Sequence, residues 1–130
     1  MEIKQVKETC IYVQDLERTK NFYSQVLEFP LIGSRPGRHV FFRAGTSVLL
    51  CFNPEATKKE DTLPAHYAYG PQHLAFEVTS EDYVSWKEKI QKHNIPIIHE
   101  QIWGDKYYSF YFHDPDGHLL EIVEAGMWDD

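Results

Sequence analysis

The sequence predicts an α+β fold: two tandem βαβββ modules forming a curved mixed sheet around a central cleft. Three observations lead there. A strand–helix–strands pattern occurs twice along the chain. Each helical stretch is followed by a proline, Pro30 in one copy and Pro96 in the other. A single carboxylate, Glu121, sits on the otherwise aliphatic strand Leu119–Val123, after the turn Asp114-Pro115-Asp116-Gly117. A carboxylate among aliphatic residues on a sheet face is costly unless it has a partner, so the sequence poses the question of what Glu121 meets.

The first copy, residues 4–53, opens on Glu8–Val13, with Thr9, Ile11 and Val13 on one face of a strand. A helix over Asp15–Leu27 follows. Asp15 suits the N-cap, and Leu16, Phe22, Tyr23, Val26 and Leu27 form the apolar stripe. Pro30 ends the helical stretch. Residues Leu31–Phe52 read as short strands with turns at Ser34–Gly37 and Ala44–Thr46. The charged, proline-bearing segment 54–71 reads as a linker. The second copy, residues 72–124, opens on His73–Val78, with Leu74, Phe76 and Val78 as its apolar face. Ser80 is the N-cap candidate of a helix to about Asn94 with the stripe Tyr83, Trp86 and Ile90. Strands are expected near Ile97–Gln101, Tyr108–His113 and Leu119–Val123. The two modules with their linker make a single domain over residues 1–130.

Aligning the copies places Glu8 and His73 at equivalent positions, each on the face opposite the helix-packing residues. The same alignment sets Leu50 against Glu121. Glu8, His73 and Glu121 are then the polar groups expected to point into the cleft. Each also has a plainer reading. A strand histidine is often a hydrogen-bonded wall residue, Glu8 follows Lys4 and Lys7 and suits a solvated strand start, and Glu121 can be a structural carboxylate. Cys10, Tyr12, Ala75 and Glu77 share the cleft parity and read as lining. His113 and His118 flank the turn, while His39, His66, His93 and His99 lack metal spacing and read as surface residues. Arg35, Arg38 and Arg43 around one hairpin read as a solvated face, with an anion-holding role as the alternative. Tyr67, Tyr69, Trp103, Tyr107, Tyr108 and Trp128 are more aromatic residues than loops and a tail usually carry, which suits a pocket roof or a dimer interface.

The chain resembles the vicinal oxygen chelate superfamily, which holds glyoxalase I, bleomycin-resistance proteins, fosfomycin-resistance enzymes, methylmalonyl-CoA epimerase and extradiol dioxygenases. The matching stretches are Val13–Arg18, Asn21–Phe29, Gln72–Val78 and Phe112–Glu121. In that family, metal ligands come from four pseudo-symmetric strand positions, here Glu8, Leu50, His73 and Glu121. The resemblance implies one divalent ion (Zn, Ni, Mn, Co or Fe) held by Glu8, His73 and Glu121, with Glu121 and Glu8 as catalytic groups. It also implies a homodimer, and a substrate pocket of Cys10, Tyr12, Leu50, Ala75, Trp103 and Tyr108. Leu50 cannot ligate, which departs from glyoxalase I, and Glu8 stands where His or Gln is usual. Two carboxylates and an imidazole suit a first-row divalent ion.

The expected function is a glyoxalase-like lyase or isomerase acting on a small molecule that chelates the metal through adjacent oxygens. The alternative is a metal-free ligand-binding protein of the bleomycin-resistance type. An extradiol dioxygenase and a fosfomycin-resistance thiol transferase rank behind both. The dioxygenase normally has two histidines. The fosfomycin enzymes need cations near the C-terminal end to hold a phosphonate, and Ala125–Asp130 has none. The net charge of −7 argues against nucleic acid. No apolar run is long enough to span a membrane, and no signal-peptide pattern is seen. Two cysteines, Cys10 and Cys51, on opposite strand faces are not expected to pair and suit a cytoplasmic protein.

Overall fold

The computed structural model describes residues 1–129. The chain divides into two compact units, Met1–Gly70 and Pro71–Asp130. Each is a βαβββ module with its own four-stranded mixed sheet.

In the first unit, β1 (Glu8–Tyr12) leads into α1 (Leu16–Asn21), which continues as a π-helical turn over Phe22–Val26. Asp15 caps α1, its Oδ1 accepting from the Arg18 N–H at 3.0 Å. The helical stretch closes on Glu28 in the left-handed region (φ 60°), and the Phe29 N–H returns to the Tyr23 carbonyl. The stop therefore lies two residues before Pro30. β2 (Leu31–Arg35), β3 (His39–Ala44) and β4 (Ser47–Phe52) complete the sheet in the order β1-β4-β3-β2, with β1 parallel to β4. Ile11, Val13, Val40, Phe42, Leu49 and Cys51 face the helix and are buried with Tyr23, Val26 and Leu27. The segment expected to be a plain linker holds a short helix, α2 (Pro54–Thr57), capped by the Asn53 side chain.

The second unit repeats the plan. β5 (His73–Val78), α3 (Ser80–Lys92), β6 (His99–Trp103), β7 (Tyr107–His113) and β8 (Leu119–Glu124) form a sheet ordered β5-β8-β7-β6, with β5 parallel to β8. The cap of α3 is Thr79 rather than Ser80. Thr79 Oγ1 accepts from the Asp82 N–H at 3.2 Å, and Ser80 is already helical. The end of α3 echoes that of α1: Asn94 takes φ 59°, two residues before Pro96. Tyr83, Ile90, Phe110, Phe112, Leu120 and Ile122 are buried in this unit, with the Tyr83 ring edge-on to Phe110 at 5.5 Å.

The β7–β8 turn is tighter than its polar sequence suggests. Asp114 Oδ1 accepts from the N–H groups of Asp116 and His118, each at 2.9 Å. Gly117 adopts φ 83°, a conformation that favours glycine. His118, expected at the surface or in the turn, is 1 % exposed, and its Nδ1 accepts the Gln72 N–H at 2.9 Å. The turn is thereby fastened to the start of β5, which fixes His73 against Leu119 in the ladder.

Candidate metal and ligand site

The pairing registers bear directly on the site. Glu8 pairs with Val48 and Cys10 with Leu50 in the first unit, while His73 pairs with Leu119 and Ala75 with Glu121 in the second. Glu8 is thus the register equivalent of His73, and Leu50 that of Glu121. All four lie on sheet faces turned away from the helices.

His73 and Glu121 meet, with Nε2 3.3 Å from Oε1. His73 Nδ1 lies 2.8 Å from the Leu119 carbonyl oxygen. A carbonyl only accepts, so Nδ1 donates that bond and Nε2 is the ring atom turned towards Glu121. Nε2 and Oε1 are 3.3 Å apart, close enough to share a cation between them. The carboxylate is 7 % exposed, and its Oε2 has no hydrogen-bond partner among the described residues. A buried, unsatisfied carboxylate oxygen beside an oriented imidazole is the donor set a divalent ion takes. The residues present therefore fit a metal. Among the described residues no three His, Cys, Asp or Glu side chains gather closely enough to hold an ion, so this unit by itself supplies two donors.

A cavity of about 430 Å³ opens on this pair, lined by His73, Ala75, Trp103, Tyr111, Glu121, Val123, Met127 and Trp128. Tyr111 pairs with Glu121 across β7–β8 and its ring stacks near His73, with centroids 6.1 Å apart. Burial, and then the Glu121 charge, push the Tyr111 hydroxyl above the usual phenol range, so it stays a donor. Ala75 and Trp103 are pocket residues of this cavity, as expected. Tyr108 is not. It lies on the opposite face of β7, its ring 6.1 Å from Tyr83 under α3. The reason is the β6–β7 turn: Gly104 and Asp105 both have positive φ, and Trp103 pairs with Tyr107, which gives odd-numbered β7 residues to the cavity side. Tyr111 and Met127 were not singled out from the sequence, although Tyr111 could have been found from its two-residue spacing to Ser109 and His113.

Cys10, Tyr12 and Leu50 share the corresponding face of the first sheet with Glu8. Glu8 and Cys10 are exposed, and Leu50 is buried. Burial, and then Glu8, raise the Cys10 thiol above its ordinary range, so it lacks the activation of a nucleophile. Neither Cys10 nor Cys51 forms a disulfide among the described residues. Around Tyr12 lies an aromatic cluster that its histidines' spacing does not reveal. The Tyr12 hydroxyl is 2.7 Å from His66 Nδ1, His66 is edge-on to Phe52 at 4.7 Å, and His39 stacks on Phe41 at 3.9 Å. Arg38 is not a solvated residue. It pairs with Glu60 at 2.6 Å, lies over the Phe52 ring at 5.2 Å and donates to His39 Nδ1 at 2.7 Å.

Comparison with known proteins agrees with this architecture. The family model described as Glyoxalase/Bleomycin resistance protein/Dioxygenase superfamily matches residues 5–122. Among curated proteins, the Metallothiol transferase FosB of Staphylococcus epidermidis is 28% identical over 131 residues, covering 99% of this chain and 87% of that protein. The protein of the same name from Bacillus licheniformis is 29% identical over 122 residues, covering 90% and 73%. Among solved structures, the Lactoylglutathione lyase from Agrobacterium tumefaciens superposes with a TM-score of 0.92 at 31% identity, covering 98% of each chain. The fosfomycin resistance protein FosX from Listeria monocytogenes shares the fold, with a TM-score of 0.73 at 20% identity over 97% of each chain. With its duplicated βαβββ units and a family match across nearly all its length, the chain belongs to the glyoxalase, bleomycin-resistance and dioxygenase superfamily.

Proposed function

We propose that the protein is a divalent-metal-dependent enzyme of the glyoxalase type, a lyase or isomerase acting on a small molecule that chelates through adjacent oxygens. The single observation that carries this reading is the His73–Glu121 pair: an imidazole oriented by its backbone bond, facing a buried carboxylate with an orphaned oxygen. Glu8, which holds in the first unit the register position of His73, is the third donor that the family resemblance implies, although among the described residues it does not gather with the other two. Zn, Ni, Mn, Co or Fe suits this set. When bound, such an ion polarises substrate oxygens and stabilises negative charge developing on them. The protein's own part is separate. Leu119 holds the His73 ring, Tyr111 keeps a donor beside Glu121, and the aromatic lining offers apolar faces to a ligand. Glu121 or Glu8 moves the proton, since a carboxylate released from the ion is a competent base.

A second reading, thiol transfer to a small electrophile, is favoured by the curated relatives named metallothiol transferases. It uses the same donors and differs in needing a thiol co-substrate. A homodimer and a cytoplasmic location complete the proposal. No helix among the described residues is long and apolar enough to cross a membrane.

Elemental analysis of the purified protein tests the reading. The wild type should retain about one divalent ion per chain after dialysis, and Glu121→Gln and His73→Ala should each lose it, with affinity reduced about 10–100-fold or more. A wild type that stays free of metal after loading would return the protein to the ligand-binding class. Omitting or adding a thiol during substrate screening then separates lyase from transferase.

A further inference from the structure

We propose that Trp103, Met127 and Trp128 form a specificity wall for a flat, uncharged, apolar group carried by the substrate next to its chelating oxygens, and that Ser109 is the positioning residue of that wall. This rests on the reading of His73 and Glu121 as metal donors.

The cavity has two chemically distinct ends. One is the His73–Glu121 pair. The rest of the lining is Ala75, Val123, Met127 and the three rings of Trp103, Tyr111 and Trp128. Among the described residues no lysine or arginine lines it, and the Glu121 carboxylate repels anions. A phosphonate or carboxylate arm therefore has no counter-charge here, whereas a planar apolar arm finds aromatic faces and a polarisable thioether. A volume of about 430 Å³ takes a small head group together with one or two fused rings, within the usual range for ligand sites.

The Trp103 ring is held rather than loose. Its Nε1–H donates to Ser109 Oγ at 2.9 Å, and Ser109 is fully buried. Ser109 shares the cavity-side face of β7 with Tyr111, two residues on. Trp103 is 39 % exposed and Trp128 84 % exposed, large apolar surfaces that a ligand would cover.

The test compares two chelators with one head group, acetohydroxamate and benzohydroxamate, by calorimetric titration of the full chain loaded with Zn²⁺. Metal content is measured on the same samples. Benzohydroxamate should bind the wild type at least about tenfold more tightly. Trp103→Leu, which keeps apolar bulk, should erase that advantage while leaving acetohydroxamate binding and zinc content unchanged. Ser109→Ala should cut the advantage to about threefold, again without touching acetohydroxamate. Zinc retained with equal affinities for the two probes overturns the wall and leaves the metal reading standing. Zinc not retained overturns the metal reading instead. The wall is then judged with 2-naphthamide on the metal-free protein: saturable binding lost in Trp103→Leu supports it, and no binding overturns it.

Discussion

A carboxylate at 7 % exposure with an unsatisfied oxygen is a residue kept at a cost to the fold. Without a cation, Glu121 carries desolvation and an oxygen, Oε2, that no described residue satisfies. Glu121→Gln removes the charge, keeps an acceptor for Tyr111 and offers an N–H to His73. The metal-free variant should therefore be more stable than metal-free wild type by about 1 kcal/mol in denaturant unfolding, while binding no metal. Equal or lower stability would mean that Glu121 is a structural carboxylate held by its neighbours. The residue scale is also where the sequence was read best and worst. Glu121 stood out because it interrupts an aliphatic strand. Tyr111 did not, since one tyrosine in Tyr107–His113 looks like another until the pairing register is fixed. His118 was hidden because a turn sequence does not disclose that Asp114 folds inwards to hold it.

At the level of elements, the two helices close in the same way. Glu28 and Asn94 both adopt left-handed backbone near φ 60°, each two residues before a proline. Asparagine tolerates that region better than glutamate does, and glycine is free of the steric penalty. Glu28→Gly should raise stability by about 0.5–1 kcal/mol, read from the midpoint of urea unfolding, and Asn94→Gly by less. A loss on Glu28→Gly would show that its side chain contributes more than the backbone costs. Helix and strand identities were legible because period-two and helical spacing differ sharply, and Asp15 identified one cap correctly. Thr79 and Ser80 are adjacent and both able to cap, so sequence could not choose between them. Tyr108, expected in the substrate pocket, turns to Tyr83 instead, because the three residues Gly104–Lys106 set the register of the β6–β7 hairpin.

Across the whole molecule, duplication is the property that makes the site readable. Two units with the same strand order allow Glu8 and His73, or Leu50 and Glu121, to be equated without any further knowledge. The copies have diverged in chemistry. The second unit holds the donor pair and the cavity, while the first carries the cluster of Tyr12, His39, His66 and Arg38. That cluster gives the protein a pH signature. Burial, then the charges of Arg38 and Arg35, lower the His39 pKa below its ordinary value of about 6.5. Between the lowered folded value and about 6.5 the unfolded chain binds more protons, so stability rises with pH in that window and is fully present above it. Thermal midpoints should therefore fall as pH drops below about 6.5, and His39→Gln should flatten that part of the profile. An unchanged profile in the variant would assign the acid sensitivity to other groups.

The central claim is that His73 Nε2 and Glu121 bind a divalent ion. Anomalous diffraction at the absorption edge of the loaded metal, on crystals of the zinc-soaked protein, addresses it most directly. The account predicts a single strong anomalous peak at coordination distance, about 2.0–2.2 Å, from both His73 Nε2 and a Glu121 carboxylate oxygen. A peak elsewhere, or fully loaded crystals with none between these two residues, would contradict it.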